Sequence, residues 1–195
     1  MTYRRLKPTL DYILSFLLLI LLFPLFLIIA MAIIIDSGMP IFYNQKRVGY
    51  FNEVFLMYKF RTMHPNADKY DVASPSLATK GGRDGRVTRV GAILRSTSLD
   101  ELPQLLNVLK GNMSLIGPRC LSIKDTQKFP TDYIDRLYYA KPGITGLWQV
   151  SPSRWNLSLQ EIYNLDIYYS KKVSLWLDIK IILLTIKTIL FKLNK

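Results

Sequence analysis

Residues 12–35 read YILSFLLLILLFPLFLIIAMAIII and decide the fold, because these twenty-four residues carry no charge. As one α-helix the segment would be roughly 36 Å long, enough to cross the ~30 Å hydrocarbon core of a bilayer. Basic residues flank it on both sides, with Arg4, Arg5 and Lys7 before it and Lys46 and Arg47 after it. The sequence therefore predicts a membrane protein.

Pro24 lies in the middle of this segment and leaves two topologies open. A kinked helix could span the bilayer, since proline is tolerated in many spanning helices. Alternatively, Pro24 breaks the helix, because its ring removes a hydrogen bond and crowds the preceding turn. The halves Tyr12–Phe23 and Leu25–Ile35 would then each be about 17 Å long and form a hairpin half a bilayer deep. Basic flanks favour the cytoplasmic side for both ends, as the hairpin requires.

Length and composition bound the remaining possibilities. The 195 residues fit one modest domain in addition to the membrane segment. A formal charge of +12 indicates an acidic partner, namely anionic lipid, nucleic acid or a phosphorylated substrate. The single cysteine, Cys120, excludes an intramolecular disulfide framework and agrees with a reducing cytoplasm. His64 is the one histidine and cannot build a histidine-rich metal site.

The chain beyond the membrane segment has the pattern of a small mixed domain. The predicted elements are strands at residues 41–43 and 54–58 around a turn at 49–52, a loop at 64–91, and helices at 99–109, 131–140 and 159–169.

The C-terminal segment 173–193 is mostly apolar but contains charges. Lys180 and Lys187 are seven residues apart and so share one helix face. A charged residue in the centre of a spanning helix raises the free energy of insertion by ~2.5–3.5 kcal/mol, and Asp178 adds another charge to this segment. An amphipathic helix lying on lipid headgroups is the favoured interpretation. A second span with snorkelling lysines and a helix packed on the globular domain stay open.

The densest polar cluster is residues 95–104, RSTSLDELPQ. Ser98 and Glu101 fit a helix capping box, which is a purely structural explanation. Pro103 would then lie at the fifth helical position and lose a backbone hydrogen bond, whereas with Asp100 as the N-cap it costs little. The register stays open. In both registers two adjacent carboxylates lie at a helix start.

Adjacent carboxylates at a helix start also suit chemistry on phosphate. A helix N-terminus binds anions and keeps a carboxylate ionised, so that Asp100 could act as a nucleophile. The second acid, Glu101, could hold Mg²⁺, which takes oxygen ligands. Arg95 and Arg119 are candidates to neutralise charge that develops on phosphoryl oxygens. The residues alone leave the structural and catalytic interpretations open.

Five motifs occur in an order that resembles the bacterial sugar transferases, the small monotopic phosphoglycosyl transferases. They are YKFRTM at 58–63, the segment 95–109, MSLIGPR at 113–119, KPGITG at 141–146 and DIYY at 166–169. The resemblance covers nearly the whole chain and implies an α-rich α+β monotopic membrane protein of the bacterial cytoplasmic (inner) membrane. Its implied parts are a proline-broken re-entrant helix hairpin at 1–36, a cytoplasmic catalytic domain at 37–172 with a small β-hairpin, and an interfacial amphipathic helix at 173–195.

The resemblance also implies a reaction, namely transfer of a sugar-1-phosphate from a UDP-sugar to polyprenol phosphate, usually undecaprenyl phosphate, with release of UMP. This is the first membrane step of capsule, exopolysaccharide, O-antigen or glycoprotein assembly. Asp100 is the implied nucleophile, which forms a phospho-aspartyl intermediate, and Glu101 the acid associated with Mg²⁺. The implied phosphate- and substrate-binding residues are Lys59, Arg61, Arg95, Arg119, Pro142, Gly143, Thr145, Gly146 and Asp166. Implied partners are both substrates, anionic membrane lipid, and downstream glycosyltransferases or a second copy of the chain.

Two segments depart from the family pattern. The Gly-Pro-Arg-Pro motif ends here in Cys120, and the common Ser-Gly-Arg stretch is replaced by Ser151-Pro152-Ser153-Arg154. Neither change touches the acidic pair. A nucleic-acid partner is not expected, because no helix-turn-helix, zinc or RNA-recognition signature occurs. An inactive scaffold of a glycan-assembly complex stays an alternative. The sugar is not specified, and its choice is expected to depend on the loop between His64 and Arg89.

Overall fold

The computed structural model describes residues 2–65, 67, 85–126 and 135–190. The helices are α1 Thr2–Ser37, α2 Arg89–Thr97, α3 Gln104–Leu109, α4 Ile123–Thr126, α5 Arg136–Tyr139, α6 Leu159–Lys171 and α7 Leu175–Leu190, and 3₁₀ turns lie at Tyr50–Asn52 and Leu99–Glu101. The strands are β1 Phe42–Val48, β2 Val54–Phe60, β3 Ser114–Ile116 and β4 Gly143–Thr145. This confirms the predicted helix-rich fold with a small amount of sheet.

The apolar segment forms one helix, α1, which continues through Pro24. The helix is therefore continuous where two separate halves were predicted, and the re-entrant course of this segment stays a prediction. Proline removes only its own N–H donor, and the other backbone groups of an apolar segment find their best partners within the helix. By length and composition this helix is able to cross a membrane. Many of its central side chains are exposed, with Leu21 at 73% and Ile28 at 65%.

Both ends of α1 are fixed to the same globular part. Near the N-terminus, Lys7 Nζ lies 2.7 Å from Asp178 Oδ2 of α7. Near the C-terminus, the Val90 backbone N–H donates to Asp36 Oδ2 over 3.0 Å, and Ile33 is buried in a cluster with β2 and α2. The two ends therefore lie on one body, whatever the path of the apolar middle.

Helix α7 has one packed face and one exposed apolar face. Ile181 is fully buried, and the buried carboxylate of Asp178 accepts a hydrogen bond from the Tyr169 hydroxyl at 2.8 Å. The exposed apolar side chains include Trp176 at 80%, Leu183 at 62% and Leu190 at 69%. Packing on the globular part is thus confirmed for one face. The other face keeps the composition that predicts an interfacial helix.

Strands β1 and β2 form the predicted hairpin, although both are longer than expected. They pair antiparallel, with Phe42 opposite Phe60 and Val48 opposite Val54. The parallel pair of β3 and β4 was not predicted, because three-residue strands are too short to show a period.

The remaining predictions have mixed outcomes. The helix predicted at 159–169 is confirmed as α6. Helix α2 begins inside the segment predicted as a loop. The prediction missed this helix because its start signal, the Thr88 side chain that accepts a hydrogen bond from the Gly91 N–H, is weak in the sequence. Residues 66, 68–84 and 127–134 lie outside the described residues, and with them most of the loop assigned to sugar choice and the start of the helix predicted at 131–140.

Two glycines of the motifs allow their backbones to approach closely. A Cβ on Gly143 would lie 2.0 Å from Gly117 N, closer than any side chain permits. We expect Gly143→Ala to destabilise the fold by about 1–3 kcal/mol, because the two backbones must separate. Thermal unfolding in detergent measures this loss. Gly85→Ala is the matched control, since a Cβ there meets nothing within 4 Å. Equal melting temperatures for the two variants would contradict the prediction.

Candidate active site

The acidic pair lies between two helices. Ser98 has a left-handed backbone conformation with φ of 59° and ends α2. Asp100 and Glu101 follow in a 3₁₀ turn, and Pro103 immediately precedes α3. The Ser98 side chain makes no capping hydrogen bond, so the predicted capping box does not form. Helix α3 begins at Gln104, later in the chain than either predicted register places the helix start. The positive φ turns the chain at Ser98, so that no continuous helix starts there.

Lys59 of β2 faces both carboxylates. Its Nζ lies 2.6 Å from Glu101 Oε1 and 3.9 Å from Asp100 Oδ2. The side chains of Lys59, Asp100 and Glu101 are only 19%, 13% and 21% exposed. An ammonium in a poorly solvated site strongly favours ionised carboxylates, and it allows two adjacent acids to coexist.

The pKa values of the two acids are shifted in opposite directions. Burial raises the pKa of Asp100 to about 6, and the ammonium of Lys59 offsets only part of this effect. Burial acts in the same direction on Glu101, but the charges of Lys59, Arg119 and Arg47 together outweigh it, so that the pKa of Glu101 is lowered. Glu101 therefore stays ionised, whereas Asp100 changes charge near pH 6.

A cleft beside the pair is rich in positive charge. Lys59, Arg47 and Arg119 line it, together with Glu101 and the amide side chain of Gln149. Three cations against one lining carboxylate favour an anionic ligand. Arg47 was not predicted as a site residue, because it lies beyond the strand predicted at 41–43. In the observed pairing Arg47 lies on the same sheet face as Lys59.

The predicted arginines Arg95 and Arg119 lie near the acidic pair. Arg95 Nε donates to Thr62 Oγ1 at 2.9 Å, and its charge acts to lower the pKa of Asp100. The Arg119 guanidinium lies 5.8 Å from the ring centre of Trp148 and acts to lower the pKa of Glu101. The structure thus brings together Asp100, Glu101, Lys59, Arg95 and Arg119.

The bacterial sugar transferase family profile matches residues 2–192. The chain belongs to the bacterial sugar transferase family. It is 43% identical over 191 residues to the UDP-glucose:undecaprenyl-phosphate glucose-1-phosphate transferase of Caulobacter vibrioides, which covers 94% of this chain and 69% of that protein.

Two longer relatives match over part of their length. Identity is 40% to the undecaprenyl-phosphate galactose phosphotransferase of Salmonella typhimurium, over 96% of this chain and 41% of that protein. It is 43% to the galactosyl transferase CpsE of Streptococcus agalactiae, over 79% of this chain and 35% of that protein. The chain thus spans less than half the length of these two relatives.

Arg61 was predicted as a substrate-binding residue of this bacterial sugar transferase, but it does not line the cleft. Its guanidinium donates to the carbonyl oxygens of Ser37, Gly38 and Met39 at the end of α1. The side chain is therefore bound to the C-terminal end of α1. Lys59 points into the cleft from within β2, whereas Arg61 lies just beyond the end of that strand.

The KPGITG motif forms part of the cleft wall through Gly143 and Ile144. Gly143 lines the cleft, and the Pro142 carbonyl accepts a hydrogen bond from the backbone N–H of Ser114. A Cβ on Gly146 would lie 2.3 Å from Gly117 O. These contacts explain the glycines of the motif by close backbone packing.

Two further predicted residues are not among those that line the cleft. The Thr145 hydroxyl lies 2.8 Å from that of Thr185 in α7. Asp166 is fully buried within α6 and is not among the cleft-lining residues.

Of the two segments that depart from the family pattern, one lines the cleft and the other packs on a residue that lines it. Cys120 lines it and is buried, with Sγ 3.5 Å from Met57 Sδ. Arg154 Nη1 donates to the Gln149 carbonyl at 3.0 Å, so that this loop packs on a cleft residue.

Among the described residues, no group of three or more His, Cys, Asp or Glu side chains could hold a metal ion. Mg²⁺ needs less from a protein, because it binds through one or two carboxylates together with substrate phosphates. Glu101 and Asp100 are adjacent oxygen donors at the cleft, and Glu101 stays ionised. These residues fit a magnesium ion that arrives with a phosphorylated substrate.

Proposed function

We propose that this chain transfers a sugar-1-phosphate from a UDP-sugar to undecaprenyl phosphate at a bacterial cytoplasmic membrane and releases UMP. The observation that carries the proposal is the half-buried acidic pair, in which the pKa of Asp100 is raised and that of Glu101 is lowered, beside a cleft lined by three cations. Such a site suits a carboxylate nucleophile and an anionic substrate. The names of the relatives from Caulobacter and Salmonella support the same reaction class.

In the first step, a carboxylate oxygen of Asp100 attacks the phosphorus that carries the sugar. The bond from this phosphorus to the oxygen bridging to UMP breaks, and UMP leaves with the electron pair. The product is a phospho-aspartyl sugar. Arg119 and Arg47 lie where they can neutralise charge on the phosphoryl oxygens, and Lys59 stabilises the ionised form of the pair.

In the second step, a phosphate oxygen of undecaprenyl phosphate attacks the same phosphorus. The bond to the Asp100 oxygen breaks, which restores the carboxylate and forms the undecaprenyl diphosphate sugar. Glu101 would hold Mg²⁺ together with substrate phosphate oxygens, and the ion supplies neutralisation of phosphate charge when it is bound.

The first half-reaction is expected to lose rate in acid, because protonated Asp100 cannot attack phosphorus. The pKa of this group is raised to about 6, so kcat/KM for the UDP-sugar should fall about tenfold per pH unit below that value. UMP release measured between pH 8 and pH 4.5, with folding verified at each pH, gives this acid limb of the pH–rate profile. A flat profile over this range would contradict Asp100 as the nucleophile.

A UMP-release assay tests the function as a whole. The protein is held in nanodiscs with undecaprenyl phosphate and Mg²⁺, and a panel of UDP-sugars is supplied one at a time. We expect release with at least one sugar and loss of release with EDTA. Binding of partner transferases without UMP release from any sugar would favour the inactive scaffold instead.

We infer that α1 enters and leaves the membrane on the cytoplasmic face. Support comes from the contacts of Lys7 and Asp36, near opposite ends of the helix, with one globular part. Basic residues on both flanks agree with that side. This topology lets a lipid-held phosphate meet a soluble nucleotide-sugar at the same surface.

Cysteine labelling tests the topology in a Cys120→Ala background. Arg5→Cys and Asn44→Cys place thiols at exposed positions before and after the apolar segment. Both are expected to react with an impermeant maleimide from the cytoplasmic side only. Leu21→Cys is the control, since lipid should shield this position from both sides although the protein leaves it 73% exposed. Reaction of positions 5 and 44 from opposite sides would show a spanning helix.

A further inference from the structure

The C-terminal end of the membrane helix is held by one buried side chain. The Arg61 guanidinium donates to the carbonyls of Ser37, Gly38 and Met39 at 3.1, 2.6 and 3.1 Å. These carbonyls lie at or just beyond the end of a helix, where backbone acceptors lack intrahelical partners. Arg61 is only 5% exposed, so this attachment is protected from water.

Helix α2 is attached to the same end of α1. The Asp36 carboxylate accepts a hydrogen bond from the backbone N–H of Val90, in the first turn of α2, and this bond lowers the pKa of Asp36. On its other side, α2 touches the backbone of Thr62. The Thr88 N–H donates to the Thr62 carbonyl, and a Cβ on Gly91 would lie 2.1 Å from that oxygen.

The opposite end of α2 carries the residues that lead into the acidic pair. Arg95 Nε donates to Thr62 Oγ1 at 2.9 Å, and Thr62 directly follows Arg61 in the chain. Beyond α2, Ser98 turns the chain into the 3₁₀ turn that contains Asp100. Helix α2 thus connects the end of the membrane helix, at its own first turn, to the 3₁₀ turn that carries Asp100.

We propose that Asp36, Arg61 and Thr62 are positioning residues that hold α2 on the end of the membrane helix and thereby fix Arg95 beside Asp100. The inference rests on the proposed function, which gives Asp100 its chemical role. It assigns to Arg61 a task different from binding substrate. It also predicts that the seating of α1 in the lipid and the geometry of the nucleophile are coupled.

Hydrogen exchange of the full chain in nanodiscs tests the physical link without any turnover. We expect Asp36→Ala to accelerate amide exchange about tenfold across residues 89–101, because α2 loses its first-turn acceptor. Asp36→Asn keeps an oxygen acceptor and should remain near the wild type. Glu53→Ala, at an exposed turn, is the control. Acceleration confined to residues 89–91, or none at all, would overturn the proposal.

A double-mutant cycle tests the catalytic consequence. Asp36→Ala should lower kcat for UMP release about 10- to 100-fold at nearly constant KM, and Arg95→Ala at least as much. If Asp36 acts through Arg95, the double variant is no slower than Arg95→Ala alone. Additive losses per folded molecule would overturn the coupling. Absence of UMP release in the wild type would instead contradict the proposed function, and hydrogen exchange would still decide the link.

Discussion

Asp100→Asn is expected to lower UMP release at least ~1,000-fold, because the amide cannot form the covalent bond to phosphorus on which both steps depend. The sugar-phosphate adduct on the protein should disappear at the same time. Intact-protein mass spectrometry after mixing with a UDP-sugar alone detects the adduct in the wild type. Glu53→Gln, a change at an exposed acid of the hairpin turn, is the matched control and should keep the adduct. Full turnover by Asp100→Asn would end the covalent mechanism.

The same substitution should stabilise the fold. The pKa of Asp100 is raised from the ordinary 3.8 to about 6, so between these pH values the folded protein binds more protons than the unfolded chain. The free energy of unfolding therefore falls as pH rises through this window, and the ionised carboxylate destabilises the fold at pH 7. Asp100→Asn removes this destabilising charge, so the variant should melt at a higher temperature than the wild type at pH 7. The difference should shrink towards pH 4.

The contrast between two serine–glutamate pairs shows what local sequence could predict. Ser158 and Glu161 have the capping-box spacing and form the box at the start of α6. Ser98 and Glu101 have the same spacing, yet the Glu101 side chain bonds to Lys59 instead. The deciding partner lies 42 positions away in the chain, so no local pattern could separate the two cases.

The long apolar run and the existence of the hairpin were predictable, because apolar runs and turn residues are local signals. The direction of individual side chains within a motif was not. Lys59 and Arg61 belong to one motif, but only Lys59 lies inside β2, so the strand's alternation ceases before Arg61. The continuity of α1 through Pro24 could not be predicted from the proline alone. It depends on whether the neighbouring backbone groups find their hydrogen-bond partners within the helix.

Lys59→Met is expected to reduce kcat/KM at pH 7 about 100-fold, because it leaves two poorly solvated carboxylates without their shared ammonium. Removing a cation disfavours ionisation, so the pKa of Asp100 should rise above about 6 and the acid limb should move to higher pH. Part of the lost rate should therefore return at pH 9. Lys46→Met, on the exposed face of the same hairpin, is the matched control.

The pH profile separates this role of Lys59 from simple substrate binding. If the ammonium served only to bind phosphate, KM would rise while the limb stayed near pH 6, since the titration of Asp100 would not depend on it. A displaced limb with recovery at high pH requires that Lys59 sets the charge of the acidic pair. The 2.6 Å contact with Glu101 and the 3.9 Å contact with Asp100 favour that outcome, because one ammonium stabilises both negative charges in a site with little water.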